Sequence, residues 1–443
     1  MLRYKLISLF FSLFFLGNAY ADGQCPNPSI TIVAPAGEQQ QTVFSWERDR
    51  CDKYDTIDIP ATAFVDQNNQ VEMLLGAAGE FPAETGLNSH NYRMIGPSLD
   101  QLTRDCANGP VISGAPQNAP NDLPSDFDNW KWITDPWFDV KNQQVYAFVH
   151  NEFHGWNIYP DTLFCSSQYA NTACWYPTVL LAESAGDGRQ YQLIKPNNGP
   201  IIGTPYTYLK DGGRRGVNQG IPVQTNILSS PMGDGYLYIM AEASLGPPSL
   251  PNSPVIFPTV DGMCLFRSKK PGDPTEWVAW DPDTKQYNNS FTVNPYLQKL
   301  NTSDHTCKPI IKGSYCTSWS FNTVLNRYVL ICNKYNQVLP NNNVTSAFVY
   351  LLSNGTNPKD PTAWDLHTHL LMAAPQIQQY PGTAYPSLID PTGTTDGAGH
   401  GDGHNFEYSG VSPYFYYTQF YTANNWQKRD LKRVKLYVSC GMS

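Results

Sequence analysis

Ser268–Trp277 reads SKKPGDPTEW, and Ser353–Trp364 reads SNGTNPKDPTAW. Both segments leave a short apolar run (Met263–Ser268 and Ala347–Ser353), and both end in Asp-Pro-Thr-x-Trp, with the two Trp residues 87 positions apart. Working outward, each apolar run is the third piece of a larger unit. Before Met263–Ser268 come Gln224–Ser229 and Tyr236–Glu242, separated by the turn Gly233-Asp234-Gly235. Before Ala347–Ser353 come Ser318–Thr323 and Tyr328–Cys332. The same order recurs as Thr62–Val65, Val71–Leu75 and Tyr92–Ser98, then as Trp132–Trp137, Val145–His150 and Thr178–Ser184. A last copy is Tyr385–Asp390, Tyr414–Tyr421 and Arg433–Val438. Alternating or apolar runs of this length, bounded by Asn, Asp, Gly and Pro, are strands.

Five units of three or four antiparallel strands predict an all-β five-bladed β-propeller. A pair of β-sandwiches is the competing architecture, but it does not require the strand order to repeat five times. Propeller repeats usually run about 40–50 residues, so long loops must decorate these blades. Only 15% of the 443 residues are Asp, Glu, Lys or Arg, against about 25% in an average chain, and 13% are aromatic. With 36 Pro and 33 Gly as well, helical bundles and disorder are excluded.

Arg3 and Lys5 precede an apolar run, Leu6–Gly17, and Ala19-Tyr20-Ala21 forms a small-x-small cleavage site. Residues 1–21 therefore read as a signal peptide, 22–54 as an N-terminal extension packing on the propeller, and 55–443 as the propeller. Removing 1–21 leaves 27 basic against 38 acidic side chains, a net charge of −11, which argues against a nucleic-acid partner. No later stretch is long enough to cross a membrane as a helix. A secreted or periplasmic monomer is expected. All ten cysteines follow the cut, and an even number in an oxidising compartment favours disulfides. Cys165–Cys174 and Cys307–Cys316 are candidate pairs. Sequons at Asn288, Asn301, Asn343 and Asn354 are acceptors only in a glycosylating source.

In a propeller the innermost strand of each blade lines the channel and the second returns antiparallel to it. The starts of first strands and the ends of second strands therefore share one face. That rule selects Asp58, then His150, Asn151, Glu152 and His154, then Asn226 and Glu242, then Trp319 and Tyr385. His90, Asn91 and Arg93, entering a third strand, join the same face. Acids, amides, an Arg and aromatic rings around one mouth suit a sugar, and glycoside hydrolysis needs two carboxyl groups. Each residue also has a structural reading. Asp58 suits an Asx turn, Arg93 an ion pair, and Glu242 at the end of an apolar strand needs solvent or a partner. His150 and His154 flank Glu152 without the H-E-x-x-H order of a zinc helix. Asp396–His404 is glycine-rich with oxygen and imidazole ligands, and it is placed on the opposite face. A flexible loop is expected there, a structural calcium being the only cofactor it suggests.

Asp58-Ile59-Pro60, RMIGPSLD (Arg93–Asp100) and RDLKRV (Arg429–Val434) resemble the five-bladed glycosidase superfamily that includes families 43 and 32. AFVHNEFHG (Ala147–Gly155), ACWY (Ala173–Tyr176), YPSLIDP (Tyr385–Pro391) and NFE (Asn405–Glu407) resemble a group of secreted glycosidase-like proteins. The resemblance runs from about residue 55 to the end of the chain. It implies that Asp58 is base or nucleophile, and that Asp135 tunes the acid's pKa, with Asp126 and Asp128 as rivals. It also implies a general-acid Glu opening blade three, where this chain has Thr225-Asn226. Glu152 or Glu242 would then supply the acid, with His90, Arg93, His150, Asn151, His154, Asn226, Trp319 and Tyr385 binding substrate. The expected function is a glycoside hydrolase acting on a poly- or oligosaccharide. The alternatives are a non-catalytic carbohydrate-binding propeller and a secreted protein-binding propeller.

Overall fold

The structure, a computed structural model, describes residues 25–32, 40–76, 89–114, 127, 130–154, 175–194, 202, 219–220, 224–245, 260–290, 307–313, 315–338, 344–357, 359–373, 376–377, 380–398, 400–422 and 425–441. Five antiparallel sheets form a propeller, with one short helix (Trp46–Asp49) and a single 3₁₀ turn among the described residues. Blade one orders Thr62–Val65, Val71–Leu74, Arg93–Gly96 and Thr103–Arg104 from the axis outward. Blade two is Trp130–Asp139, Gln144–His154, Trp175–Ala185 and Gln192–Ile194. Blade three is built on Leu228–Ser229, Leu237–Leu245, Val260–Ser268 and Val278–Asp281. Blade four is Tyr315–Asn322, Arg327–Val338, Val344–Ser353 and Trp364–Ala373.

Blade five takes Thr383–Ile389, Tyr414–Thr422 and Asn425–Gly441 from the end of the chain. Its outer strands come from the beginning: Asn27–Ile32 pairs with Leu436–Gly441, and Gln41–Phe44 with Leu431–Arg433. The disulfide Cys25–Cys440 fastens that junction. The core lies between blades, because successive side chains of a strand face opposite neighbours. Ile239, Ala241 and Ala243 pack with Phe148 and Val179 of blade two, whereas Tyr238 and Met240 pack with Trp319 and Leu330 of blade four. The Trp residues of the two Asp-Pro-Thr-x-Trp segments, Trp277 and Trp364, join those two clusters in turn.

Three further disulfides are described, Cys51–Cys106, Cys264–Cys307 and Cys316–Cys332. The expected Cys307–Cys316 pair is thus corrected. Cys316 faces Cys332 across neighbouring strands, at a Cα separation of 3.8 Å. Ile311–Lys312 pairs with Gly262–Met263, which carries Cys307 to Cys264 instead. Cys165 and Cys174 lie outside the described residues.

One segment of blade five ties the far ends of the other four innermost strands together. The His404 carbonyl accepts from the Val65 N–H at 2.7 Å, and its ring stacks on Phe138 at 4.3 Å. The Asn405 carboxamide accepts from the Phe138 N–H (2.8 Å) and donates to the Phe138 carbonyl (2.9 Å). Glu407 accepts from the Ser229 N–H through its side chain, and from the Phe321 N–H through its carbonyl. Tyr408–Ser409 then adds a parallel bridge to Phe321–Asn322. Buried backbone ends need such partners, and this crosspiece of blade five supplies them to blades one to four.

Candidate active site

At the opposite end of the axis a cavity of about 290 Å³ opens among the starts of the innermost strands. Blade one contributes Asp58, Ile59 and Pro60, blade two Trp132 and Thr134, and blade three Gln224. Tyr315 and Thr317 come from blade four, and Ala384, Tyr385 and Pro386 from blade five. Second strands add His150, Glu152 and Asn333 from their ends. Backbone irregularities aim several of these groups. The innermost strands of blades two, four and five all slip register near this end, at Asp135-Pro136, at Thr317 and at Tyr385-Pro386. Such bulges bend a strand and redirect its side chains.

Asp58 is the best-anchored carboxyl group. One Oδ1 accepts from the Arg429 guanidinium and from the Tyr385 hydroxyl, the latter at 2.9 Å. Arg429 Nη1 also donates to the Ile57 carbonyl at 3.0 Å, fixing the backbone that presents Asp58. Burial pushes the Asp58 carboxyl up, while Arg429 and Tyr385 pull it down and the Glu152 charge adds to the rise. Glu152 therefore lies within electrostatic reach of Asp58. Its Oε1 sits 2.8 Å from Nε2 of His150, two positions back on the same strand face. The His150 ring in turn leans on Trp132, 5.4 Å between centroids, and Trp132 stacks on Trp130 at 5.5 Å.

Asp135 lies just beneath the cavity, 1% exposed, next to Thr134, which lines it. Its backbone N–H donates to Thr62 Oγ1 at 3.0 Å. Burial pushes its carboxyl up to about 8, with the adjacent Thr134 and Gln224 side chains lowering it. Those two lie beside the carboxyl group without meeting hydrogen-bond geometry to it.

Four of the sequence-derived site residues (Asp58, His150, Glu152 and Tyr385) thus line one cavity, with Asp135 under its floor. The others are placed elsewhere. Glu242 is buried on the strand face that carries Tyr238 and Met240 toward blade four, and is not among the lining residues. Asn226 Oδ1 accepts from the Trp319 N–H (3.0 Å) and Ser318 Oγ (3.2 Å), which ties blade three to blade four. Trp319 is fully buried against Tyr328 and donates its indole N–H to the Asn226 carbonyl at 2.7 Å. Asn151 donates to the Trp130 carbonyl at 2.9 Å. Arg93 is held by Glu72 (2.8 Å), Asp105 (2.9 Å) and the Asp187 carbonyl (2.6 Å). His90 contacts Asp52 at 3.4 Å, and the side chain of His154 lies outside the described residues.

Sequence reasoning missed Arg429, Gln224, Trp132, Thr134, Thr317 and Asn333. Arg429 had a signal, since it heads RDLKRV, yet only the long-range fold shows which acid it serves. In the Asp396–His404 stretch the acids serve their own turns. Asp396 accepts from the Ala398 and His400 N–H groups, and Asp402 from those of His404 and Asn405. Among the described residues no group of three or more His, Cys, Asp or Glu side chains is arranged to hold a metal ion.

Several solved structures are similar to this chain at low identity. A protein of unknown function from Dyadobacter fermentans matches at 10% identity and a TM-score of 0.48, over 93% of this chain and 100% of that one. A GH43_1 enzyme from Xanthomonas citri, complexed with xylotriose, matches at 9% and 0.41, over 89% of each chain. A glycosyl hydrolase from Bacteroides ovatus matches at 11% and 0.39, over 91% and 95%. No family model and no curated protein matches the sequence.

Proposed function

We propose that the cavity binds a sugar residue and that the protein hydrolyses a glycosidic bond of a poly- or oligosaccharide outside the cytoplasm. The observation that carries this reading is that Asp58 and Glu152 face one cavity walled by an aromatic ring, each with its own partner. Glycoside hydrolysis asks for two carboxyl groups in different protonation states. Arg429 and Tyr385 favour an ionised Asp58, the base or nucleophile. Glu152, held against His150 at 2.8 Å beside the same space, is the group to deliver a proton to the leaving oxygen. Trp132 offers a face for the apolar side of a sugar ring. The four described disulfides support an oxidising compartment.

The test is turnover of 4-nitrophenyl α-L-arabinofuranoside, 4-nitrophenyl β-D-xyloside and the corresponding oligosaccharides. Asp58→Asn should abolish turnover of both kinds of substrate. Glu152→Gln should spare the aryl glycosides more than the oligosaccharides, because nitrophenolate leaves without a proton. Equal losses on both would remove Glu152 from the acid's role.

A non-catalytic sugar-binding protein is the second reading, favoured by the carboxamide of Gln224 beside Asp135. A carboxamide cannot give up a proton as a general acid. Saturable sugar binding with no turnover of any substrate would select that reading.

A further inference from the structure

Two bulges meet beside the cavity, across the boundary between blades four and five. In blade five the ladder pairs Ala384 with Thr418 and then Ser387 with Tyr416, stepping over Tyr385 and Pro386. In blade four it pairs Cys316 with Cys332 and then Ser318 with Ile331, stepping over Thr317. A bulge takes a backbone carbonyl out of its ladder, and a buried carbonyl then needs another donor. Thr317 Oγ1 is that donor for Pro386, in a buried hydrogen bond between the two innermost strands. Just beyond it the Leu388 N–H donates to Ser318 Oγ at 3.1 Å. The blade-four side is fastened in turn, because the Cys316–Cys332 disulfide closes the pair next to Thr317.

The chain gripped in this way carries the Tyr385 side chain. Tyr385 stands at φ 54°, a region that a residue with a side chain keeps only where its surroundings enforce it. Proline fixes its own φ, so holding the Pro386 carbonyl orients the Tyr385-Pro386 unit as a whole. From that setting the Tyr385 hydroxyl donates to Asp58 Oδ1 at 2.9 Å. Thr317 also lines the cavity, at 3% exposure. A threonine hydroxyl has one proton to give, and here it goes to the Pro386 carbonyl.

We propose that Thr317 is a positioning residue of the site, its hydroxyl pinning the Tyr385-Pro386 bulge so that the Tyr385 hydroxyl stays on Asp58. Its kinetic consequence rests on the reading of Asp58 as base or nucleophile, whereas the contact itself does not. Two readouts therefore test it, one of them independent of turnover.

The first is fluorine NMR of the full chain labelled with fluorotyrosine, the Tyr385 signal being assigned by its loss in Tyr385→Phe. Asp58→Asn should shift that signal in the wild type and in Thr317→Ser, which keeps the hydroxyl. In Thr317→Val, which keeps the shape, and in Thr317→Ala, which cannot overpack, Asp58→Asn should leave the signal in place. A shift of wild-type size in these two backgrounds, or none in the wild type, overturns the positioning role. The second readout is the acidic limb of kcat/KM against pH for an aryl glycoside. The Tyr385 hydrogen bond lowers the Asp58 carboxyl, so losing it raises the limb. Thr317→Val should raise it no further than Tyr385→Phe does, the double variant should add nothing, and Thr317→Ser should keep the wild-type limb. A raised KM with an unmoved limb would make Thr317 a substrate contact and overturn the proposal. A wild type without turnover, whose Tyr385 signal still loses its response to Asp58 in Thr317→Val, would sink the glycosidase reading and leave the positioning role standing.

Discussion

Asp135 and Tyr385 share one backbone device: each stands at positive φ (51° and 54°) immediately before a proline, at the register slip of an innermost strand. Left-handed backbone is uncommon in residues with a side chain, and it costs roughly 1–3 kcal/mol where the surroundings enforce it. Blades two and five use it at the same level of the channel. One instance delivers a hydroxyl to Asp58, and the other buries a carboxyl group under the floor.

That buried carboxyl group makes stability depend on pH. In the folded chain Asp135 keeps its proton up to about pH 8, whereas an unfolded Asp loses it near ~3.9. Between those values the native state binds more protons, so stability falls as pH rises from about 4 to about 8 and is flat above. Glu407, pushed up to about 8 by burial, acts in the same direction. Asp135→Asn tolerates the backbone and should exceed the wild type by more than about 1 kcal/mol at pH 8, with a smaller gain at pH 5. Urea unfolding at the two pH values measures this, and an equal difference at both would contradict the assignment.

Burial raises the Asp58 carboxyl and Arg429 opposes it. In Arg429→Met the carboxyl group loses its cation, and its pKa should rise further. The acidic limb of kcat/KM against pH should move upward with it, because that profile reports groups of the free enzyme. Tyr385→Phe should move the limb the same way but less, since one neutral hydrogen bond is lost. An acidic limb unmoved in Arg429→Met would mean that Asp58 is not the group titrating.

Asn405 tests the crosspiece. Asn405→Ala leaves the buried N–H and carbonyl of Phe138 without their partner, at about 1–3 kcal/mol for each group. Tm should drop by several degrees. Because the cavity lies at the other end of the channel, sugar affinity below the transition should stay near that of the wild type. An affinity loss without a Tm change would place Asn405 in the site instead.

Cys25–Cys440 links residues 415 positions apart. Replacing both by Ala should lower stability by about 2–5 kcal/mol, mainly through the freer unfolded chain. Denaturant midpoints of the double variant give the number. A midpoint equal to that of the wild type would show that strand pairing alone holds the junction.

The blades were legible because strand alternation and turn chemistry are local, and repetition multiplies a weak local signal. Each predicted strand triplet overlaps strands of the matching sheet, as Val71–Leu75 does Val71–Leu74 and Tyr414–Tyr421 does Tyr414–Thr422. Asp58, His150 and Glu152 were legible at the site because strand position alone determines their facing, and Tyr385 lines it too although a register slip aims it. Asn226 and Trp319 occupy the right strand ends, but their side chains satisfy each other across the blade boundary. Arg93 looked like a ligand group because Glu72, Asp105 and Asp187 come from separate loops and strands. Gln224 begins a predicted strand, and nothing local sets it apart from Asn226 two positions later. The bulges that decide such facings are not written in periodicity.

Pairing Asn27–Ile32 with the final strand has a consequence for how the ring is made. Asn27–Ile32 must wait, without its neighbour, until Asn425–Gly441 has been synthesised. The other four blades can assemble in order from adjacent sequence, but closing the ring waits for that last pairing.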